Sequence, residues 1–349
     1  MTETLTGAQI AIRLLERQGV RTVAGIPGGA ILPIYDALGQ STLIHHVLAR
    51  HEQGAGFMAQ GMARASGRPA VCLASSGPGA TNLLTAIADA KLDSIPVVAI
   101  TGQVSKAMIG TDAFQEVDTY GLSIPITKHN FLVTSAEELL EVIPRAFQIA
   151  ASGRPGPVLV DIPKDVQTQA IEVTDWPAPG ARELPPTADA LAISEAAAMI
   201  NAAKRPILYL GGGVVHSGAA SVAVDLAEKA NLPTVMTLMA LGAMPVDHPL
   251  SLGMLGMHGA RCTNLALDEC DLLIAVGARF DDRATGKVAA FCPQARIIHI
   301  DIDAAEFNKM VQVDVTIKGD AKAALSDLLP LIEKLPTEDW LTHLDGYKK

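Results

Sequence analysis

The chain has 349 residues, a formal net charge of −10, 49% hydrophobic, 18% charged and 4% aromatic residues. That size and apolar content suit about two packed domains and exclude a disordered chain. The acidic balance, with no block of Lys or Arg, argues against nucleic acid and anionic membranes as partners.

In chain order, Ala8–Arg17 reads as a helix opened by Thr6-Gly7, Thr22–Ile26 as a strand ended by Pro27-Gly28-Gly29, and Ala30–Leu38 as a helix. Strand Leu43–Leu48, helix Glu52–Ala65, strand Ala70–Ala74, helix Thr81–Lys91 and strand Pro96–Thr101 follow. Helix Ala136–Ala150 and strand Pro157–Ile162 complete the first half. Alternating strands and helices, with strands almost wholly apolar, predict a doubly wound parallel sheet covered on both faces. The Pro-rich stretch 167–188 predicts a linker. A second α/β run follows: helix Asp189–Ala203, strand Pro206–Leu210, a Gly211–Gly213 turn, helix Ser221–Ala230, strands Leu232–Met236, Leu272–Val276 and Arg296–Ile302, and closing helix Ala321–Leu335. The expected division is a domain at 1–166, a linker at 167–188, a second domain at 189–336 and a tail at 337–349. The tail from Trp340 is polar and is expected to start nothing new.

The four cysteines form no C-x-x-C pair, and Cys72 lies in an apolar run. They read as reduced thiols of a cytoplasmic protein. The N-terminus lacks the basic and apolar regions of a secretory signal, and no apolar run approaches the ~20 residues that span a bilayer.

Glu52 stands among small and apolar residues, with no further charge until Arg64. Such a carboxylate should have raised proton affinity and suit acid–base work near neutral pH. The alternative is an acid capping a helix start, where the macrodipole favours it. Ser75–Asn82 runs from a strand through a glycine turn into a helix, which is where α/β sheets bind ligands; a plain turn capped by Thr81 or Asn82 is the alternative. Pro27-Gly28-Gly29 is placed equivalently. Three such signals at strand ends in one domain suggest one pocket. The long stretch 102–116 carries Phe114 beside Gln115, and long ordered loops tend to carry function. Lys164 ends a buried strand, either as a cation for a substrate carboxylate or as a solvated lysine. In the second half, Gly211-Gly212, the Gly277–Arg283 segment with Arg279, Asp281 and Arg283, the acids Asp301 and Asp303, and His258 together suggest an adenine-dinucleotide site. Each also reads as an ordinary turn or solvated charge. His258 has no second histidine or cysteine at ligand spacing, so no metal site is expected here.

Gly25–Ala30, Arg50–Ala55, Ser76–Asn82, Ile109–Glu116, Gly153–Asp165, Gly253–Gly259, Gly277–Arg283 and Asp301–Asp303 together resemble the thiamine diphosphate-dependent enzymes, in particular the catalytic large subunits of the acetohydroxyacid synthase (acetolactate synthase) family. The resemblance covers essentially the whole chain. It implies a pyrimidine-binding domain followed by a central FAD-binding, Rossmann-like domain. It implies that Glu52 hydrogen-bonds the aminopyrimidine of thiamine diphosphate and promotes its imino form. Pyruvate would lose carbon dioxide, and its two-carbon unit would pass to pyruvate or 2-oxobutanoate, as in branched-chain amino-acid synthesis. Pro78 and Asn82 match pyrimidine-pocket positions, and Gly28, Phe114, Gln115 and Lys164 match positions around the reacting centre. FAD positions would include Arg154, Gly211, Gly212, Thr237, Leu238, His258, Gly277, Arg279, Asp281, Arg283, Asp301, Ile302 and Asp320. Partners implied are 2-oxo acids, further copies in a homodimer or tetramer, and a regulatory small subunit. The family's Gly-Asp-Gly, which with a later Asn holds Mg2+ and the diphosphate, has no match, since Gly319-Asp320 is followed by Ala321. Those ligands are expected in a third domain outside this sequence. A related FAD and thiamine enzyme such as pyruvate oxidase, or a non-catalytic FAD-binding remnant, stays open.

Overall fold

A computed structural model describes residues 2–348. The chain divides into two compact units between Leu184 and Pro185. Both are α/β units built on a parallel sheet.

In the first unit, β1 (Glu3–Thr6) leads into α1 (Gly7–Arg17), β2 (Thr22–Gly25), α2 (Leu32–Gln40), β3 (His45–Leu48) and α3 (Glu52–Ser66). Then come β4 (Ala70–Ala74), α4 (Pro78–Leu92), β5 (Val97–Gln103), α5 (Thr119–Ser123), β6 (His129–Leu132), α6 (Leu139–Ala151), β7 (Val158–Pro163), α7 (Lys164–Thr168) and β8 (Ala170–Val173). Six strands form one sheet in the order β3-β2-β4-β5-β7-β6, every neighbouring pair parallel. The period-2 alternation of side chains sends Val71, Leu73, Val98 and Ile100 to a core shared with α1, α2 and α6. Cys72, Ala74, Val97 and Ala99 face an alanine-rich core with α3 and α4. Cys72 is fully buried, and burial pushes its thiol up to about 12. The first part of the 167–188 stretch is folded: β8 pairs antiparallel with β1. That non-local pairing leaves no signal in either four-residue segment.

The second unit contains α8 (Ala190–Asn201), β9 (Pro206–Leu210), α9 (Gly212–His216), α10 (Ala220–Ala230), β10 (Thr234–Met236), β11 (Ser251–Met254) and α11 (Arg261–Glu269). It continues through β12 (Leu272–Val276), α12 (Asp282–Thr285), β13 (Arg296–Asp301), β14 (Val315–Lys318), α13 (Ala321–Leu328) and α14 (Glu338–Tyr347). Its sheet order is β11-β10-β9-β12-β13-β14, again all parallel. The expectation that the segment from Trp340 starts nothing new is wrong. Trp340 and Leu344, four residues apart on α14, are buried against Tyr209, Leu273 and Ala275. The Trp340 indole N–H donates to Pro206 O at 3.2 Å. The polar composition hid an amphipathic spacing. The closing helix also stops early, at Leu328, because Pro330 ends it in a 3-10 turn. Among the described residues no helix is long and apolar enough to cross a membrane.

Candidate active site

In the first sheet the chain leaves β2 toward β3 but leaves β4 toward β5 on the other side. The connections after β2 and β4 therefore run to opposite sides, and the carboxyl end of such a switch point is where these sheets hold ligands in a crevice. The glycine turn after β2 and the Ser75–Gly79 turn after β4 border that crevice. Ala30 N donates to Ser75 Oγ at 3.2 Å, and buried Gln167 holds Ala30 O with its amide at 2.7 Å. Gly28 lies half-buried against Ser75.

Glu52 begins α3, just past the carboxyl end of β3. It is not the cap: His51 is, its ring Nδ1 accepting from Gln53 N at 3.1 Å. The half-buried Glu52 carboxylate instead reaches α4, where Asn82 Nδ2 donates to its Oε2 at 2.9 Å. A Cβ at Gly79 would stand 3.5 Å from Oε1. One carboxylate oxygen is thus fixed by an amide, and the other faces the first turn of α4. Near Gly25 the Tyr35 hydroxyl is buried with no hydrogen-bond partner among the described residues. Burial raises its pKa, and the charges of Cys72 and Glu52 add to the effect.

Gly77, at φ +57°, turns the chain into α4, and Pro78 is the first helical residue. A Cβ on Gly77 would fall 2.8 Å from Gln115 Cα, so the backbone at Gln115 lies directly against this turn. Gln115 itself has φ +59°. Neighbouring Phe114 is 88% exposed. Lys164 is exposed at the first turn of α7, just past β7, which β5 separates from β4. Glu52, Pro78, Asn82 and Gln115 therefore gather around the α4 turn, while Phe114 and Lys164 stand exposed at the same edge. Arg154 lies elsewhere, before the amino end of β7, where its Nε donates to Ser94 Oγ at 2.8 Å.

In the second unit the equivalent crevice lies between β9 and β12. Gly211 and Gly277 interlock there: a Cβ on Gly211 would fall 2.1 Å from Gly277 O. These glycines bring two backbones together. Thr237 and Leu238 follow β10, His258 follows β11, Arg279, Asp281 and Arg283 follow β12, Asp301 and Ile302 lie at the end of β13, and Asp320 follows β14. All share the carboxyl edge. Asp281 caps α12 through Arg283 N and Ala284 N, and Asp320 caps α13. Asp301 Oδ1 accepts from Asp303 N at 2.8 Å. The Thr237 hydroxyl is buried with no hydrogen-bond partner among the described residues, and Leu238 is 69% exposed. Among the described residues no group of three or more His, Cys, Asp or Glu could hold a metal ion.

Residues 5–122 match the description "Thiamine pyrophosphate enzyme, N-terminal TPP binding domain", and residues 193–328 match "Thiamine pyrophosphate enzyme, central domain". The chain belongs to the thiamine pyrophosphate enzymes. It is 64% identical over 335 residues to the acetolactate synthase isozyme 1 large subunit of Escherichia coli K12, covering 96% of this chain and 59% of that protein. The isozyme 2 large subunit of the same organism is 52% identical over 340 residues, covering 97% and 61%. An acetolactate synthase of Mycobacterium bovis is 52% identical over 358 residues, covering 99% and 57%. The chain thus spans about three fifths of the length of these relatives.

The sequence reading gave no individual role to five residues whose side chains hydrogen-bond around these strand ends: His51, Ser75, Gln103, Asp161 and Gln167. The signal for Asp161 was present. An acid inside the apolar run Val158-Leu159-Val160-Asp161-Ile162 needs partners in the fold.

Proposed function

We propose that this chain supplies the pyrimidine side of an acetolactate synthase site and, in its second unit, a flavin-binding site. Support for the first part comes from the Glu52–Asn82 pair at the crevice of the first sheet, in a chain that is up to 64% identical to acetolactate synthase large subunits. Thiamine diphosphate, when bound, supplies the electron sink that lets a 2-oxo acid lose carbon dioxide and pass its two-carbon unit to pyruvate or 2-oxobutanoate.

The chain's own residues then have defined work. Glu52 holds a proton at the aminopyrimidine ring nitrogen through the oxygen that Asn82 does not occupy. Asn82 fixes the rotamer of that carboxyl, and Pro78 walls the ring. Gly28 and Gln115 border the reacting centre. Exposed Phe114 covers it from solvent, and the Lys164 ammonium holds a 2-oxo acid carboxylate. In the second unit, Gly211, Gly212, Gly277, Asp301 and Ile302 would lie along FAD, with Arg279 and Arg283 on its phosphates. Thr237 fits because its buried hydroxyl has no hydrogen-bond partner among the described residues. Leu238, His258, Asp281 and Asp320 flank that edge. Magnesium and diphosphate ligands would come from residues beyond this sequence. Two of the relatives are named large subunits, which supports a regulatory small subunit as partner, alongside further copies of the chain in a cytoplasmic dimer or tetramer.

The test is carboligation by the assembled enzyme, given pyruvate, thiamine diphosphate, magnesium and FAD. Acetolactate should form with one carbon dioxide per product. Conversion of pyruvate to acetaldehyde or acetate alone would overturn the assignment.

A further inference from the structure

Gln103 closes β5 and opens the loop that carries Phe114 and Gln115. It is 2% exposed, and its side chain spans the mouth of that loop. Gln103 Oε1 accepts from Val104 N at 2.8 Å, while Nε2 donates to Val117 O at 2.9 Å. The same Nε2 donates to Asp161 Oδ2 at 3.0 Å. Asp161 Oδ1 in turn accepts from Thr101 Oγ1 at 2.7 Å. Thr101 and Asp161 sit opposite each other on β5 and β7. One side chain thus ties together both ends of the 104–117 span, at Val104 and Val117, and a buried acid on the neighbouring strand holds that side chain in place.

The far end of the loop needs such holding. Asp112 and Gln115 both have positive φ, at 57° and 59°. Non-glycine residues keep such angles only when their surroundings over-determine them. Part of that determination is the Gly77 turn, against which the Gln115 backbone rests. The loop adds bonds of its own, Gly110 N to Glu116 Oε1 at 3.3 Å and Glu116 N to Ala113 O at 2.9 Å, and at its base Gln103 is the side chain that bonds both sides.

We infer that Gln103 and Asp161 are positioning residues: together they clamp the base of the 104–117 loop and so hold Gln115 against the Gly77 turn, next to the Glu52–Asn82 pair. The catalytic consequence of this clamp rests on the proposed synthase reading. The clamp itself does not. Burial favours the protonated Asp161 carboxyl, while the Thr101 and Gln103 hydrogen bonds favour the ionised one. Either form keeps a lone pair for Gln103 Nε2.

Hydrogen–deuterium exchange of the chain decides the matter. Gln103→Leu keeps the size of the side chain but removes all three bonds. Amides of 104–117 should then exchange about tenfold faster, the change expected for one or two lost buried hydrogen bonds, while amides of α6 keep their rates. Gln103→Glu retains the shape, loses the donor, and serves as the second variant should the leucine form not fold. Adding Asp161→Asn to Gln103→Glu restores a 103–161 bond with donor and acceptor exchanged, and should recover part of the protection. Unchanged loop exchange in both single variants overturns the clamp. Failure of the double variant to recover any protection overturns the part given to Asp161. In the carboligation assay, Gln103→Leu should lower kcat/KM for pyruvate about tenfold. Faster loop exchange with unaltered carboligation would confirm the clamp and refute instead the placement of Gln115 at the reacting centre.

Discussion

Asp161 should make the stability of the first unit fall as pH rises toward neutrality. Its side chain is 1% exposed, and burial lifts its pKa from 3.8 to about 7, against the pull of its Thr101 and Gln103 hydrogen bonds. In the unfolded chain the same carboxyl ionises near its ordinary value. Below that value both states hold the proton and there is no penalty. Between the two values the folded state keeps a proton that the unfolded chain releases, so each rise in pH favours unfolding. Above the folded value the penalty is complete. A shift of about 3 units at 1.36 kcal/mol per unit gives about 4 kcal/mol. Asp161→Asn removes the titration with little change of shape. Its stability relative to the parent should therefore climb by up to about 4 kcal/mol between pH 4 and pH 7.5. The assay is urea unfolding in a Trp340→Phe background, which leaves Trp176 as the one tryptophan of the chain's two and reports the first unit. Parallel pH profiles for parent and variant would refute the reasoning.

Two further substitutions probe the second unit. Trp340→Ala should cost about 3–5 kcal/mol in urea unfolding, because it opens a cavity in the core and frees Pro206 O; an unchanged midpoint would detach α14 from that core. Gly211→Ala puts a methyl 2.1 Å from Gly277 O, and because backbone must move rather than a side chain, it should cost about 3 kcal/mol or more. A thermal melt of the variant equal to the parent's would show that this crossing is looser than its geometry.

How much of this could be read from residues alone varies with the range of the contacts. The fully buried strands Ala70–Ala74, Pro206–Leu210 and Leu272–Val276 stand at their expected bounds, since an uninterrupted apolar run is a local signal of a covered parallel strand. The short strands β1 and β8 exist because they find each other across the whole first unit, and no local pattern announces that. Glu52 was conspicuous as an acid in apolar company, yet its alternative as a helix cap could be settled only by seeing His51 take the cap and Asn82, 30 residues away, take the carboxylate. Gln103 and Asp161 are 58 residues apart, and only the β5–β7 pairing joins them. The glycine turns were visible as motifs, but not their division of labour. Gly77 seats the Gln115 loop, whereas Gly211 and Gly277 pack one backbone on another.

The central claim is that Glu52, fixed by Asn82, manages the proton at the pyrimidine ring of bound thiamine diphosphate. The direct measurement is the exchange rate of the cofactor's C2 proton in the assembled enzyme, read by quenched-flow and proton NMR. Glu52→Gln should slow that exchange by about 10²–10⁴-fold, the range for loss of a positioned acid–base group, with the fold intact by circular dichroism. A C2-proton exchange rate in Glu52→Gln equal to that of the parent would contradict the account.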